Sequence, residues 1–272
     1  MDRMTSAPPI GFGTWNRPDG TAYQCALDAL EIGYRHLDCA EGYENEADVG
    51  WAISVSGLKR NELWVTTKVA PESFGPGQIR PHVEASLEKL GVGSVDLLLL
   101  HYPSINDEYD IEDYMAQFAE VYDAGLTRNI GVSNFTIRYL DRAVELLGER
   151  RLLTNQVELH PFLANAPIVE HSRQMGIGLT AFSPLARGAV VTDPVLQAIA
   201  EECGATASQV GLAYLLAKGY WVIPSAGARE RIQENFETQN VDLSKDQIAQ
   251  IDALDRKMRL VDGPWCPKWD EY

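Results

Sequence analysis

The chain has 272 residues, 45% hydrophobic and 23% charged, an ordinary globular mix with enough apolar sequence for one large core. Its 39 acidic and 23 basic residues leave a formal charge of −16, which argues against nucleic acid or an anionic membrane as a partner. Residues 1–9 lack the apolar run of a secretory signal, and nothing approaches the roughly 18 consecutive apolar residues of a membrane span, so a soluble cytoplasmic protein is expected.

Along the chain a short β-branched run alternates with an amphipathic stretch. Residues 10–14 read as a strand and 22–32 as a helix; 34–38 and 45–54 repeat the pair, as do 63–68 with 78–90 and 95–101 with 111–124. The second half continues with 129–133 and 137–147, 154–158 and 166–175, 178–182 and 205–217, and 220–223 and 229–239. Gly33, Gly91, Gly125, Gly176 and Gly219 follow five of these helices at the position that favours left-handed backbone. No linker divides the pattern. Eight strand–helix units predict an α/β fold with parallel strands, as one domain over residues 1–272. An open doubly wound dinucleotide fold would want G-x-G-x-x-G after its first strand, and the chain lacks it there. Length and unit count therefore favour a single closed (β/α)8 TIM barrel.

Such a barrel gathers its active site at the C-terminal ends of the strands. Those ends carry Thr14-Trp15, Asp38, Lys68, His101, Ser133-Asn134, Gln156, Phe182-Ser183 and Ser225. Any one of them could be a satisfied polar group at a strand edge; eight in register point to a site. Cys25, Cys39, Cys203 and Cys266 form no C-x-x-C or zinc-like spacing and read as free thiols in a reducing compartment. His36, His82, His160 and His171 show no metal spacing either, and no metal is expected.

Three separated motifs resemble the aldo-keto reductase family, and the likeness runs through nearly the whole chain. They are Gly33-Tyr34-Arg35-His36-Leu37-Asp38-Cys39-Ala40 with Tyr43, Glu46 and Gly50; Asn129-Ile130-Gly131-Val132-Ser133-Asn134-Phe135; and Ile223-Pro224 through Arg231 with Glu234-Asn235. Within the family, the run from His101 to Glu108 and the closing Arg259-Leu260-Val261 look most like the bacterial 2,5-diketo-D-gluconate reductases of the B type, which also reduce methylglyoxal. The resemblance implies a catalytic tetrad of Asp38, Tyr43, Lys68 and His101. Hydride transfer puts negative charge on a carbonyl oxygen, so a proton donor and electrostatic stabilisation are needed. Tyr43 would be the donor, its pKa lowered by the Lys68 ammonium; Asp38 would keep that lysine charged; neutral His101 would orient the carbonyl. Histidine here, where the double-bond reductases of the family place glutamate, favours carbonyl over alkene reduction.

The same resemblance implies an NADPH cofactor. Ser133, Asn134 and Gln156 would bind the nicotinamide carboxamide, with Phe182 stacked on the ring in place of the family's usual tyrosine. Gly13, Thr14 and Trp15 at the first strand end, and Ser183, Leu185 and Gly188 in the loop suited to the pyrophosphate, would complete that part. The adenosine end falls to Ser225, Arg229, Arg231, Glu234 and Asn235. Ser225 stands where the family usually has lysine, and Ala226 and Ala228 remove further polar contacts. A lost charge-assisted contact costs roughly 1.5–3 kcal/mol of preference for NADPH, so NADH is the alternative coenzyme. Trp15, Tyr43, His101, Tyr102 and Trp265 are the expected substrate walls, with the tail 256–272 beside the pocket. The short loop after His101 suits small or polar carbonyl substrates: 2-ketoaldehydes, keto-sugar acids and aromatic aldehydes. A monomer is the family-based expectation. A nicotinamide-binding regulatory protein on the same fold is the alternative, but such a protein has no need of Tyr43 and Lys68 together.

Overall fold

The computed structural model describes residues 7–15, 17 and 20–271. Thus the first six residues and Tyr272, at the ends of the expected domain and tail, lie outside the described residues. The alternation becomes β1 (Phe12–Gly13), α1 (Thr21–Ile32), β2 (His36–Asp38), α2 (Glu46–Val55), β3 (Trp64–Val69), α3 (Ile79–Leu90), β4 (Leu97–Leu100), α4 (Ile111–Asp123), β5 (Ile130–Ser133) and α5 (Ile137–Leu147). It continues through β6 (Leu152–Glu158), α6 (Ala166–Gln174), β7 (Gly178–Phe182), α7 (Pro194–Cys203), α8 (Ala207–Ala217), β8 (Trp221–Val222), α9 (Arg229–Glu237) and α10 (Lys245–Asp252). Two helices, α7 and α10, were absent from the expected pattern. Each is announced by its cap: Asp193 accepts from the Val195 and Leu196 amides ahead of Pro194, and Ser244 and Gln247 form a reciprocal capping box.

The strands pair in parallel in simple sequence order, β1 to β8, as one eight-stranded sheet. The expected closed TIM barrel needs correcting here. Among the described residues, parallel ladders join each consecutive pair from β1–β2 to β7–β8, but none joins β8 back to β1. These two edge strands, two residues each, meet only through the isolated bridge Ile10↔Val222 and flanking backbone bonds such as Gly13 N to Pro224 O at 3.0 Å. Prolines explain the interruption: Pro8, Pro9 and Pro224 flank the meeting point and have no amide to donate.

Side chains alternate across the sheet with period two. Leu37, Val65, Val69, Leu98, Leu100, Val132, Val157 and Ala181 pack with the helices in the main apolar core. On the opposite face, Trp64, Leu97 and Leu99 form a separate apolar cluster with Ala7. This face also carries His36, whose Nε2 lies 3.2 Å from Thr66 Oγ1, and Lys68, paired with Asp38. Thr154 and Thr180 share a 2.9 Å hydroxyl contact there. The polar residues toward the C-terminal strand ends on this face become the floor of the site.

Packing outside the sheet is tight where glycine permits it. A Cβ on Gly50 of α2 would stand 2.3 Å from Lys89 O at the end of α3. Gly50→Ala is therefore expected to cost about 1–3 kcal/mol of stability through overpacking, read as a lower urea midpoint with an unchanged slope. A midpoint equal to wild type would show that α2 and α3 part freely.

Candidate active site

A cleft of about 960 Å³ opens at the C-terminal ends of the strands. Its floor is a charge pair sunk in the sheet. Lys68, fully buried on β3, pairs through Nζ with Asp38 Oδ1 on β2, donates to Cys39 O at 2.8 Å and reaches Tyr43 Oη at 3.3 Å. Gln156 on β6 donates to the other Asp38 oxygen at 2.8 Å, so both carboxylate oxygens are engaged. Tyr43 is carried on a single 3-10 turn, Glu41–Tyr43, just after β2. Glu41 anchors that turn, accepting from Ser73 Oγ at 3.0 Å and lying 2.8 Å from His82 Nδ1. His101, at the end of β4, meets the Tyr43 ring edge-on with centroids 5.5 Å apart.

Burial and charge set the protonation states. Burial works against the Lys68 charge, but Asp38 and Tyr43 outweigh it and hold the ammonium above its ordinary range. For Tyr43 the direction is opposite to that expected from sequence. Burial pushes the phenol up, and the Lys68 cation and hydrogen bond only partly offset it. The phenol is thus protonated at neutral pH. Burial, reinforced by Lys68, holds His101 well below the ordinary histidine range, so its ring is neutral.

Most of the coenzyme and substrate residues expected from sequence converge on this cleft. Gly13, Trp15, Ser133, Asn134, Gln156, Phe182, Ser183, Leu185, Gly188, Ser225, Arg231, Glu234 and Asn235 line it, as do Tyr102 and Trp265. Asn134 and Ser183 hold left-handed backbone, with φ of 60° and 49°, the kind of local strain that collects at sites. Asn134 donates to Ser133 Oγ and His101 O, both at 3.0 Å, while its buried Oδ1 has no partner among the described residues. An orphaned acceptor in a cleft wall fits an incoming amide N–H. Three expected residues lie elsewhere. Lys68 sits beneath the cleft; Thr14 is buried with its hydroxyl on Asp38 O at 3.0 Å; Arg229 turns outward, 2.7 Å from both Asp28 and Glu31.

Sequence reasoning missed several participants. Arg17 and Arg187 line the cleft, although no motif marks either one. Glu158, fully buried at the end of β6, accepts from the Leu260 and Val261 amides at 2.7 and 2.9 Å, tethering the tail so that Val261 and Trp265 form a wall. Asp270 accepts from the Ile137 amide at 3.1 Å and so caps α5 from the far end of the chain. The sequence signal for Glu158 is an acidic residue closing the strand-like run 154–158, a place where a carboxylate that becomes buried needs donors.

A parallel α/β sheet with this lysine–carboxylate–phenol–imidazole cluster at the floor of a cleft of about 960 Å³ is the setting of a nicotinamide-dependent oxidoreductase of carbonyl compounds. The sequence profile of the Aldo/keto reductase family matches residues 9–256, and the chain belongs to that family. Methylglyoxal reductase of Escherichia coli O157:H7 is 41% identical over 264 residues, covering 97% of this chain and 99% of that protein. An aldo-keto reductase of Mycolicibacterium vanbaalenii is 39% identical, covering 94% of this chain and 91% of that one. The solved aldose reductase of Schistosoma japonicum superposes with a TM-score of 0.90 at 32% identity, over 96% of this chain and 94% of that one. This protein is an NAD(P)H-dependent oxidoreductase. Among the described residues, no helix is long and apolar enough to cross a membrane.

Proposed function

We propose that the protein reduces small 2-ketoaldehydes such as methylglyoxal, together with keto-sugar acids and aromatic aldehydes, to alcohols, with NADPH as its coenzyme. The observation that carries this reading is Tyr43, protonated and half-buried in the cleft, with its hydroxyl 3.3 Å from a lysine ammonium that Asp38 holds in its charged form. A bound reduced nicotinamide supplies the hydride. The chain's own residues do the rest. Asn134 Oδ1, Ser133 and Gln156 would hold the carboxamide, and Phe182 would supply an aromatic face for the ring. Neutral His101 donates a hydrogen bond to the carbonyl oxygen and fixes its direction. As negative charge develops there, Tyr43 Oη gives up its proton and Lys68 stabilises the phenolate left behind. Water then reprotonates Tyr43.

Trp15, Tyr102 and Trp265 wall the substrate end, and the two tryptophans are about half exposed, at 53% and 49%. An open aromatic mouth suits small polar carbonyls better than long apolar ones. The relative named a methylglyoxal reductase, at 41% identity, supports the same substrate class. We place the enzyme in the cytoplasm as a monomeric single domain, a reading that rests on family likeness and on four unpaired cysteines.

The test is the loss of reduced-nicotinamide absorbance with NADPH or NADH against methylglyoxal, a keto-sugar acid and an aromatic aldehyde. Turnover with at least one pair is expected; tight coenzyme binding without turnover of any carbonyl would overturn the reductase reading. The pH profile makes a second check. Because His101 is depressed, it gains a proton only well below the ordinary value of about 6.5, so kcat/KM should stay level from about pH 8 down to about pH 6. An acid limb centred near 6.5 would mean that His101 titrates normally and is no neutral donor.

A further inference from the structure

The segment after β8 is short of the positive charge that an additional phosphate on the coenzyme demands. Ser225 stands where a lysine would serve, and Arg229 is committed to Asp28 and Glu31 outside the cleft. Arg231 alone remains as this segment's cation on the cleft wall. In a protein of net charge −16, a bound anion needs local cations to offset the global field.

Arg17 supplies one from across the cleft. It follows β1 by only a few residues, yet its Nη2 donates to Ser225 Oγ at 2.8 Å, linking positions 208 residues apart. Arg17, Ser225, Ala226, Gly227 and Arg231 line the same cleft. A Cβ on Gly227 would meet nothing within 4 Å, so the cleft wall next to Ser225 is open. The bond to Ser225 and a contact with the Cys25 thiol orient the Arg17 fork, and a guanidinium carries five N–H donors, enough to hold these partners and an anion together. The arrangement places a cation beside the hydroxyl that replaced the lysine.

We propose that Arg17 is a specificity-determining residue for the coenzyme: paired with Ser225 and aided by Arg231, it takes the phosphate ester on the adenosine ribose of NADPH. This rests on the coenzyme reading above. It explains how a chain lacking the lysine retains a site for that phosphate, and why the first loop and the last strand end are tied together.

Quenching of intrinsic tryptophan fluorescence gives Kd for NADPH and for NADH without any turnover, and calorimetry with adenosine 2′,5′-bisphosphate and 5′-AMP isolates the adenosine end. Arg17→Ala is expected to weaken NADPH and the bisphosphate by about 10-fold or more, the scale of one charge-assisted contact, while NADH and 5′-AMP change by less than about 2-fold. Arg17→Lys, which keeps the charge, should retain most of the NADPH affinity. Equal weakening of NADPH and NADH would assign Arg17 to a phosphate common to both and overturn the proposal, as would unchanged affinity for both. Wild-type protein that binds neither coenzyme would instead sink the coenzyme reading, and this inference with it.

Discussion

Tyr43→Phe should lower kcat by about 10²–10⁴-fold, the range for removing a positioned general acid, and leave the Kd for coenzyme nearly unchanged. The loss is confined to chemistry because the substitution keeps the ring. The edge-on contact with His101 at 5.5 Å survives, as does the 3-10 turn anchored by Glu41. The hydroxyl's contact to Lys68 is long, at 3.3 Å, so stability should fall by no more than about 1 kcal/mol. Single-turnover mixing with methylglyoxal separates the step from binding. A phenylalanine enzyme with wild-type kcat would show that the proton comes from elsewhere, with His101 the next group to examine.

Lys68→Met should lose both catalysis and stability. The methionine removes the charge that stabilises the phenolate, which is expected to cost about 10²–10³-fold in kcat. It also strips Asp38 of its cation in a fully buried site, leaving Gln156 at 2.8 Å as the remaining side-chain partner described for the carboxylate. Breaking a buried pair from one side typically costs about 3–5 kcal/mol. Urea denaturation measures it. The sign with pH follows from the raised lysine: its stabilisation is complete below the ordinary lysine value of about 10.4 and fades only as pH rises through the higher folded value. The wild-type advantage from this pair should therefore hold level across neutral pH and shrink only in strong alkali. A variant as stable as wild type would mean that Asp38 finds a proton or water in the lysine's place.

Local sequence determined much of this. The spacing of β-branched runs and amphipathic stretches placed every strand to within a few residues, because side-chain periodicity is a property of neighbours along the chain. Polar residues closing apolar strands, such as Lys68 after Leu63–Thr67 and His101 after Val95–Leu100, mark the site in the linear sequence. The helices α7 and α10 were legible too, through Asp193-Pro194 and the Ser244 to Gln247 spacing, but a one-helix-per-strand template hid them.

Tertiary structure decided what depends on partners far apart in sequence. Whether the sheet's edges join as a ladder turned on prolines from both ends of the chain meeting around Ile10 and Val222. Arg229, expected at the coenzyme, is held outside the cleft by Asp28 and Glu31 of α1, whereas Arg17, which no motif marks, reaches Ser225 from 208 residues away. Glu158 became the anchor of a tail 102 residues away. Tyr43 moved up in pKa because desolvation, which no linear spacing encodes, outweighed its lysine neighbour. Periodicity is written locally; burial and charge pairing are sums over everything the fold brings near, and only the folded chain performs that sum.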